Sequence, residues 1–163
     1  MGEIKEDKLL ALLTATIRRA RNDEAQEISN LVNEVVAEKY GHLFEALPPV
    51  TDDAAAWMGS WIAEAGNVIV GVGLATHDYI DDLWLRTRYR RRGIGAKLLA
   101  SLERQITESG HAAAHLRVVG ENTGALRFYQ KHGWRIVRRF PHEHWRFKMV
   151  AIEMVVMVKN LQT

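Results

Sequence analysis

The chain has 163 residues, 47% apolar and 26% charged, with a formal net charge of +2 and no cysteine. That length and composition belong to one soluble globular domain able to bury a core. They exclude disulfides, thiolate metal sites, cysteine nucleophiles and a chain-wide electrostatic nucleic-acid binder.

Residues 1–13 read as a loosely attached lead-in, too charged ahead of a short apolar run for a secretory signal. No apolar run reaches membrane-spanning length, so a cytoplasmic location is the expectation. Residues 15–21 alternate like a strand. Asn22 or Asp23 is placed to cap a helix with Ile28, Leu31, Val32, Val35 and Val36 on one stripe, fading near Gly41. Pro48-Pro49 forces an extended break. Thr51-Asp52-Asp53 then caps a shorter helix carrying Trp57. "WIAEA" turns at Gly66-Asn67 into a strand over 68–77, a hairpin signal, and 79–86 is a further strand. A helix runs from Gly93 to about Ser109, with Ile94, Leu98, Leu99, Leu102 and Ile106 on one face and Gly110 as its stop. Residues 113–119 form a strand, Asn122 starts a helix that Gly133 ends, and "WRIVRRF" and "KMVAIEMVVMVK" close the chain as two strands. The order β-α-α-β-β-β-α-β-α-β-β predicts one domain over 1–163: an α/β fold whose mixed sheet carries helices on both faces.

Five arginines lie between Arg86 and Arg92, directly before Gly93-Ile94-Gly95 and a helix. A strand, a glycine turn and a helix start make a natural anion site. The first helical N–H groups lack intrahelical partners, the helix dipole is positive there, and glycine lets an anion approach the backbone. Arg90, Arg91 and Arg92 add charge-assisted donors. The competing reading is a solvated arginine face. The Walker pattern fails, because Lys97 neither follows a glycine nor precedes Ser or Thr. The dinucleotide fingerprint fails at Leu98. "GVG" over 71–73 lies within a strand and marks a bulge or close packing.

"Arg90-Arg91-Arg92-Gly93-Ile94-Gly95-Ala96" resembles the Arg/Gln-x-x-Gly-x-Gly/Ala signature of the GNAT superfamily of acyl-CoA N-acyltransferases. "Asn122-Thr123-Gly124-Ala125-Leu126-Arg127-Phe128-Tyr129-Gln130-Lys131-His132-Gly133-Trp134" resembles that superfamily's Asn-x-x-Ala-x-x-Phe-Tyr-x-x-x-Gly-Phe block, with Trp for the last Phe. The resemblance implies a mostly antiparallel mixed sheet in which the parallel strands 79–86 and 113–119 splay apart to admit acetyl-CoA. It also implies that backbone N–H groups from Arg91 to Ala96 hold the pyrophosphate. The main chain at Leu83, Trp84 and Leu85 would meet the pantetheine amides, and Asn122 and Tyr129 would reach the cofactor's far side.

The implied acceptor is an amine. A free alkylamine has a pKa of about 10.4, so a proton must be removed before the nitrogen attacks. Tyr129 is the candidate general acid for the departing thiolate. With no cysteine, direct transfer in a ternary complex is the implied route. Polyamine-acetylating relatives carry Leu-Glu-Asp before the glycine signature, and Ile80-Asp81-Asp82 stands here. Asp81 is then the candidate base, one methylene short, with a water able to bridge the gap. The competing reading is a half-exposed carboxylate paired with an arginine. Alternation places Asp81 and Asp82 on opposite faces, so only one faces the reacting groups.

His111 and His115 are four residues apart, but along a strand that spans about 13 Å, too far for one metal. No metal is therefore expected. His142 and His144 sit in the connection between the last two strands, where they bind substrate, relay protons or stay exposed. The acceptor pocket falls on 40–57 and 141–148, with carboxylates at Glu45, Asp52, Asp53 and Glu143 and apolar bulk at Leu43, Phe44, Trp57 and Trp145. A small cationic amine is the leading acceptor, with a peptide N-terminus or lysine, or a non-catalytic CoA-binding module, as alternatives. A nucleic-acid partner is disfavoured, and a homodimer is the default assembly.

Overall fold

The computed structural model of the chain describes residues 15–43 and 53–162. The expectations for 1–13, Phe44, Glu45, Pro48-Pro49, Thr51 and Asp52 lie outside those residues. Seven strands form one sheet: β1 (Thr16–Arg19), β2 (Trp61–Ala65), β3 (Val68–Thr76), β4 (Tyr79–Leu85), β5 (Ala113–Val119), β6 (Arg135–Phe147) and β7 (Val150–Asn160). Their order across the sheet is β1-β2-β3-β4-β5-β7-β6. Every neighbouring pair is antiparallel except β4 and β5. Three helices cover it: α1 (Ala25–Tyr40), α2 (Ile94–Glu108) and α3 (Thr123–Lys131). The predicted element order and mixed sheet are present.

The helical stripes do the packing. Ile28, Leu31, Val32, Val35 and Val36 of α1 are buried with Ile62, Ile69 and Val72 on one face of the sheet. Leu99, Leu102 and Ile106 of α2 join Leu126 and Tyr129 of α3 over β5 and β7 on the other. Gly71 and Gly73 explain how closely α2 sits on β3. A Cβ on Gly71 would lie 2.9 Å from Leu98 Cδ1, and one on Gly73 would lie 2.8 Å from Leu102 Cδ1. These glycines are close-packing residues, one of the two readings their sequence context allowed.

Local boundaries differ from expectation in three places. β1 is shorter than 15–21. Neither Asn22 nor Asp23 caps α1; both sit in a 3-10 turn, Asn22–Glu24, that precedes it. The buried Glu24 orders this corner, accepting from the Arg21 backbone N–H at 2.7 Å and pairing with Arg18 at 2.6 Å. Trp57 ends a short 3-10 turn, Ala54–Trp57, whose Asp53 side chain accepts from Ala55 N–H at 3.0 Å, so of the expected capping triplet Asp53 acts as the cap.

A further difference concerns the end of the chain. His142 and His144 do not lie in the turn between the last strands. The β6–β7 turn is at Lys148 and Met149, both with positive φ. The histidines lie inside β6, where pairing breaks after Pro141↔Glu153 and resumes at Arg146↔Ala151. Four residues, 142–145, therefore stand opposite Ile152 alone, and the extra length is pushed out of the ladder.

Substituting Gly73→Val tests the close approach of α2. The added side chain meets Leu102, which is fully buried, and overpacking of this kind costs about 1–3 kcal/mol. Chemical denaturation should show that loss with the native fold retained.

Candidate active site

The two parallel strands are bonded over only two positions, Tyr79↔His115 and Ile80↔Leu116. Beyond Ile80 they diverge. β4 continues to Leu85 bonded to β3 alone, and β5 continues to Val119 bonded to β7 alone. The gap is a cleft of about 500 Å³ whose walls include Asp81, Asp82, Trp84, Arg117, Asn122 and Tyr129, with Tyr40 of α1 and His142 and Trp145 of β6. The splay expected of strands 79–86 and 113–119 is present.

β4 contains a bulge. Leu74 pairs with Asp82 and Ala75 with Ile80, so Asp81 is the extra residue. Strict alternation would place Ile80, Asp82 and Trp84 on one face. Across the bulge, Ile80 packs with α2 and α3, whereas Trp84 packs with α1. Asp81 and Asp82 both line the cleft. This corrects the expectation that only one of them would, because a bulge re-aims the side chains it separates.

The two carboxylates differ in environment. Asp81 is exposed. Asp82 accepts from Trp84 Nε1 at 2.8 Å, and burial pushes its pKa up, against the Trp84 hydrogen bond and with a further push from Asp81. Tyr129 reaches the gap from α3, buried to 7% exposure. Burial first, then the nearby Tyr40 and Asp82, raises its hydroxyl far above the ordinary tyrosine value. Its hydroxyl has no hydrogen-bond partner among the described residues. Asn122 caps α3 by accepting from Ala125 N–H at 3.2 Å and donates to the Tyr40 hydroxyl at 2.8 Å. Its amide thus ties α3 to α1 across one end of the cleft.

The arginine run divides by role. Arg86 pairs with Glu34 of α1 at 2.6 Å. Arg90 folds back, its Nε and Nη2 each 3.3 Å from the Leu85 carbonyl. Arg91 and Arg92 are exposed. Arg91 and Gly93 both have positive φ, and α2 starts at Gly93 without a side-chain cap. The N–H groups of Ile94, Gly95 and Ala96 are therefore left for an outside acceptor. A Cβ on Gly93 would meet open space, whereas one on Gly95 would lie 3.6 Å from the Phe128 ring. Gly93 sets the turn, and at Gly95 an added Cβ would come only into ordinary contact with the Phe128 ring of α3. These features suit an anionic group at the head of α2 and an extended chain along the unbonded edge of β4, which is the chemistry of a CoA thioester.

The family model for the acetyltransferase (GNAT) family matches residues 28–134. The chain belongs to the GNAT acetyltransferase family. This GNAT acetyltransferase superposes on YncA of Salmonella typhimurium, solved with its cofactor acetyl-CoA, with a TM-score of 0.74 at 15% identity, over 92% of this chain and 95% of that one. A GNAT-family acetyltransferase of Streptococcus pneumoniae aligns with a TM-score of 0.72 at 22% identity, over 90% and 99%. These likenesses are of fold. In sequence the chain is 33% identical over 66 residues to the L-ornithine N5-acetyltransferase of Arabidopsis thaliana. That match covers 37% of this chain and 29% of the relative.

Arg117 is a cleft residue that the sequence did not single out, since it lies on β5 with nothing local to mark it. Tyr40 begins the expected pocket segment 40–57 but is not among the residues expected to line it, because it ends α1 as an ordinary amphipathic position. Among the described residues no group of His, Asp and Glu is placed to hold a metal, and His115 Nδ1 instead lies 3.1 Å from Asp78 Oδ2. No described helix is long and apolar enough to cross a membrane.

Asp82 gives a pH signature. Its pKa is raised in the folded chain above the ordinary value of 3.8. Between those two values the folded state binds more protons than the unfolded one, so stability is full below 3.8 and falls as pH rises through the raised value. Asp82→Asn keeps an oxygen for Trp84 Nε1 and removes the buried charge. The variant should melt higher than the wild type at neutral pH and lose that advantage below about pH 4; a melting series against pH reads it directly.

Proposed function

We propose that the enzyme transfers the acetyl group of acetyl-CoA to a primary amine of a small molecule, by direct attack while both substrates are bound. The single observation that carries this reading is the pairing of a raised-pKa carboxylate, Asp82, with a buried tyrosine hydroxyl, Tyr129, on the walls of a cleft opened by a splayed strand pair. The relative named for ornithine N5-acetylation supports a cationic small amine as acceptor.

Backbone N–H groups of Arg91 to Ala96 bind the pyrophosphate, with Arg90, Arg91 and Arg92 supplying positive charge and the last also lying nearest the helix start in sequence. The edge of β4 at Leu83, Trp84 and Leu85 lines up the pantetheine arm, and Asn122 closes the far side. The thioester supplies an electrophilic carbonyl and a good leaving group. Asp81, exposed at the bulge, draws in the ammonium form of the acceptor. Of the two aspartates, Asp82 is the better proton acceptor: desolvation moves its pKa toward that of the amine, and Trp84 occupies only one of its oxygens. The base is thereby placed one residue beyond the position that the family resemblance points to. Asp82 first takes a proton from the ammonium and releases it to water, which leaves a neutral nitrogen. As that nitrogen bonds to the carbonyl carbon, the C–S bond breaks, CoA leaves as the thiolate, and the second proton lost as the amide forms passes to Asp82. Tyr129 stays protonated at neutral pH and serves the departing sulfur as a hydrogen-bond donor. Its acidity is too low for complete proton transfer to a thiolate of pKa about 8.5.

Acetyl-CoA at about a hundred times its dissociation constant should add about 2.7 kcal/mol of apparent stability. Gly95→Glu should lose this thermal shift. An acidic residue suits the first turn of a helix and so leaves the fold intact, but it sets negative charge where the pyrophosphate binds. A full shift in that variant would remove the anion site from α2.

Tyr129→Phe should lower kcat by about a hundredfold, the low end for losing one preorganised donor to developing charge, with the acetyl-CoA thermal shift retained. A screen of primary amines that follows released thiol tests the activity itself. Asp82→Asn should recover part of its lost rate at high pH, where the amine is already neutral, and Asp81→Asn should act mainly on KM for cationic acceptors. Unchanged turnover in Asp82→Asn at neutral pH would overturn its role as base.

A further inference from the structure

The acceptor side of the cleft carries positive as well as negative groups. Along β5, Leu116 and Val118 are buried with α2 and α3, whereas Val119 packs with α1. Alternation therefore turns Arg117 to the α1 side, where Asp82 and Trp84 also face. Arg117 lines the cleft and has no carboxylate within ion-pair distance among the described residues. Burial raises the pKa of the Tyr79 hydroxyl; Arg117 opposes that shift and Asp81 adds to it, so both charges bear on the same hydroxyl. The guanidinium also sits over the Phe140 ring, 5.6 Å from its centroid. Arg117 also hydrogen-bonds the Tyr79 hydroxyl. An arginine with five N–H donors that is held this way beside a cleft, and left without an internal anion, keeps its remaining donors for a ligand.

His142 adds a second donor. It belongs to the four-residue excursion of β6 and is stacked on Trp145, with ring centroids 4.1 Å apart and planes 7° from parallel. Its Nδ1 accepts from the backbone N–H groups of His144 at 3.1 Å and Trp145 at 3.0 Å. Two donors directed at Nδ1 keep a proton off that nitrogen, so the neutral ring carries its proton on Nε2. The ring is then fixed as a hydrogen-bond donor, and its one lone pair is already occupied. This argues against the proton-relay reading of His142; the half-buried ring on the cleft wall favours ligand binding over an idle exposed side chain. Protonation is disfavoured accordingly: burial, His144 and Arg117 lower the ring's pKa, with Glu143 opposing.

We infer that the acceptor is a primary amine that also carries a carboxylate, that is, a free amino acid. Asp81 and Asp82 take its ammonium group, and Arg117 with the Nε2–H of His142 takes its carboxylate. The inference deepens the proposed acetyl transfer and rests on it. A purely cationic diamine leaves Arg117 unpaired and adds a second positive charge beside it; a carboxylate completes the charge pattern of the cleft.

Matched pairs that differ only in the carboxylate test this: L-ornithine with putrescine, L-lysine with cadaverine, and L-leucine with isoamylamine. Each is assayed with acetyl-CoA by thiol release. The wild type should show kcat/KM at least tenfold higher for the amino acid than for its decarboxylated partner in the pair it accepts. Arg117→Gln should collapse that ratio toward one, and His142→Phe, which keeps the stack on Trp145 and loses the Nε2 donor, should reduce it by a smaller factor. Arg117 is exposed, so its variant is expected to fold; its melting temperature verifies that. A wild-type ratio near one, or a ratio unchanged in Arg117→Gln, overturns the inference. Transfer to the amines but not to the amino acids overturns it and leaves acetyl transfer to amines standing. Transfer to none of the six overturns both.

Discussion

The two-position pairing of β4 with β5 is the constraint on which the rest of this molecule depends. A parallel pair of seven-residue strands has enough backbone to bond along its whole length, yet here it bonds at Tyr79 and Ile80 and then opens. The strands remain anchored because each keeps a full antiparallel partner on its other side, β3 for β4 and β7 for β5. The backbone groups that face the gap would cost about 1–3 kcal/mol each if buried without partners. A cleft wide enough for water, and for a substrate that itself offers amides, avoids that cost. The sheet is thus continuous in topology and open at one seam, and the seam forms the cleft proposed as the binding site.

The bulge at Asp81 works on this seam. By adding one residue to β4 it lets Ile80 stay in the core under α2 while Asp82 and Trp84 turn toward α1. A strand without the bulge could not satisfy both. The bulge therefore brings two aspartates to the cleft, one wet and one desolvated. The desolvated one carries a stability cost that grows as it ionises. Such costs collect at sites where a group must hold a proton affinity that water would not give it.

The arginine run shows how little a charge count says about roles. Arg86 pairs with Glu34, and Arg90 folds back on the Leu85 carbonyl. Arg91 and Arg92 remain exposed beside the uncapped start of α2. The cation inferred to bear on acceptor choice, Arg117, comes from a different strand altogether, β5. Tyr40, Asn122 and Ala125 then link α1 to the first turn of α3, so the walls of the cleft are joined through one side-chain amide.

The sequence by itself determined the elements and the family. Helical stripes such as Leu98, Leu99, Leu102 and Ile106, the strand–glycine–helix junction at Gly93, and the Asn122-to-Trp134 block are local patterns, set by residues within one or two turns of each other. The mixed sheet followed from the element order, and the splayed pair and the place of Tyr129 at the gap followed from the family resemblance that the two motifs carry. Tertiary structure alone decided the face of Asp82, the course of β6 through His142 and Trp145, and the sorting of the arginines. Each of these depends on register between strands far apart in the chain. A single unpaired residue at Asp81 reverses which side chains face the cleft, and four unpaired residues opposite Ile152 turn an expected connection into part of its wall. Periodicity within a segment fixes its shape, whereas the count of residues against a distant partner fixes where its side chains point.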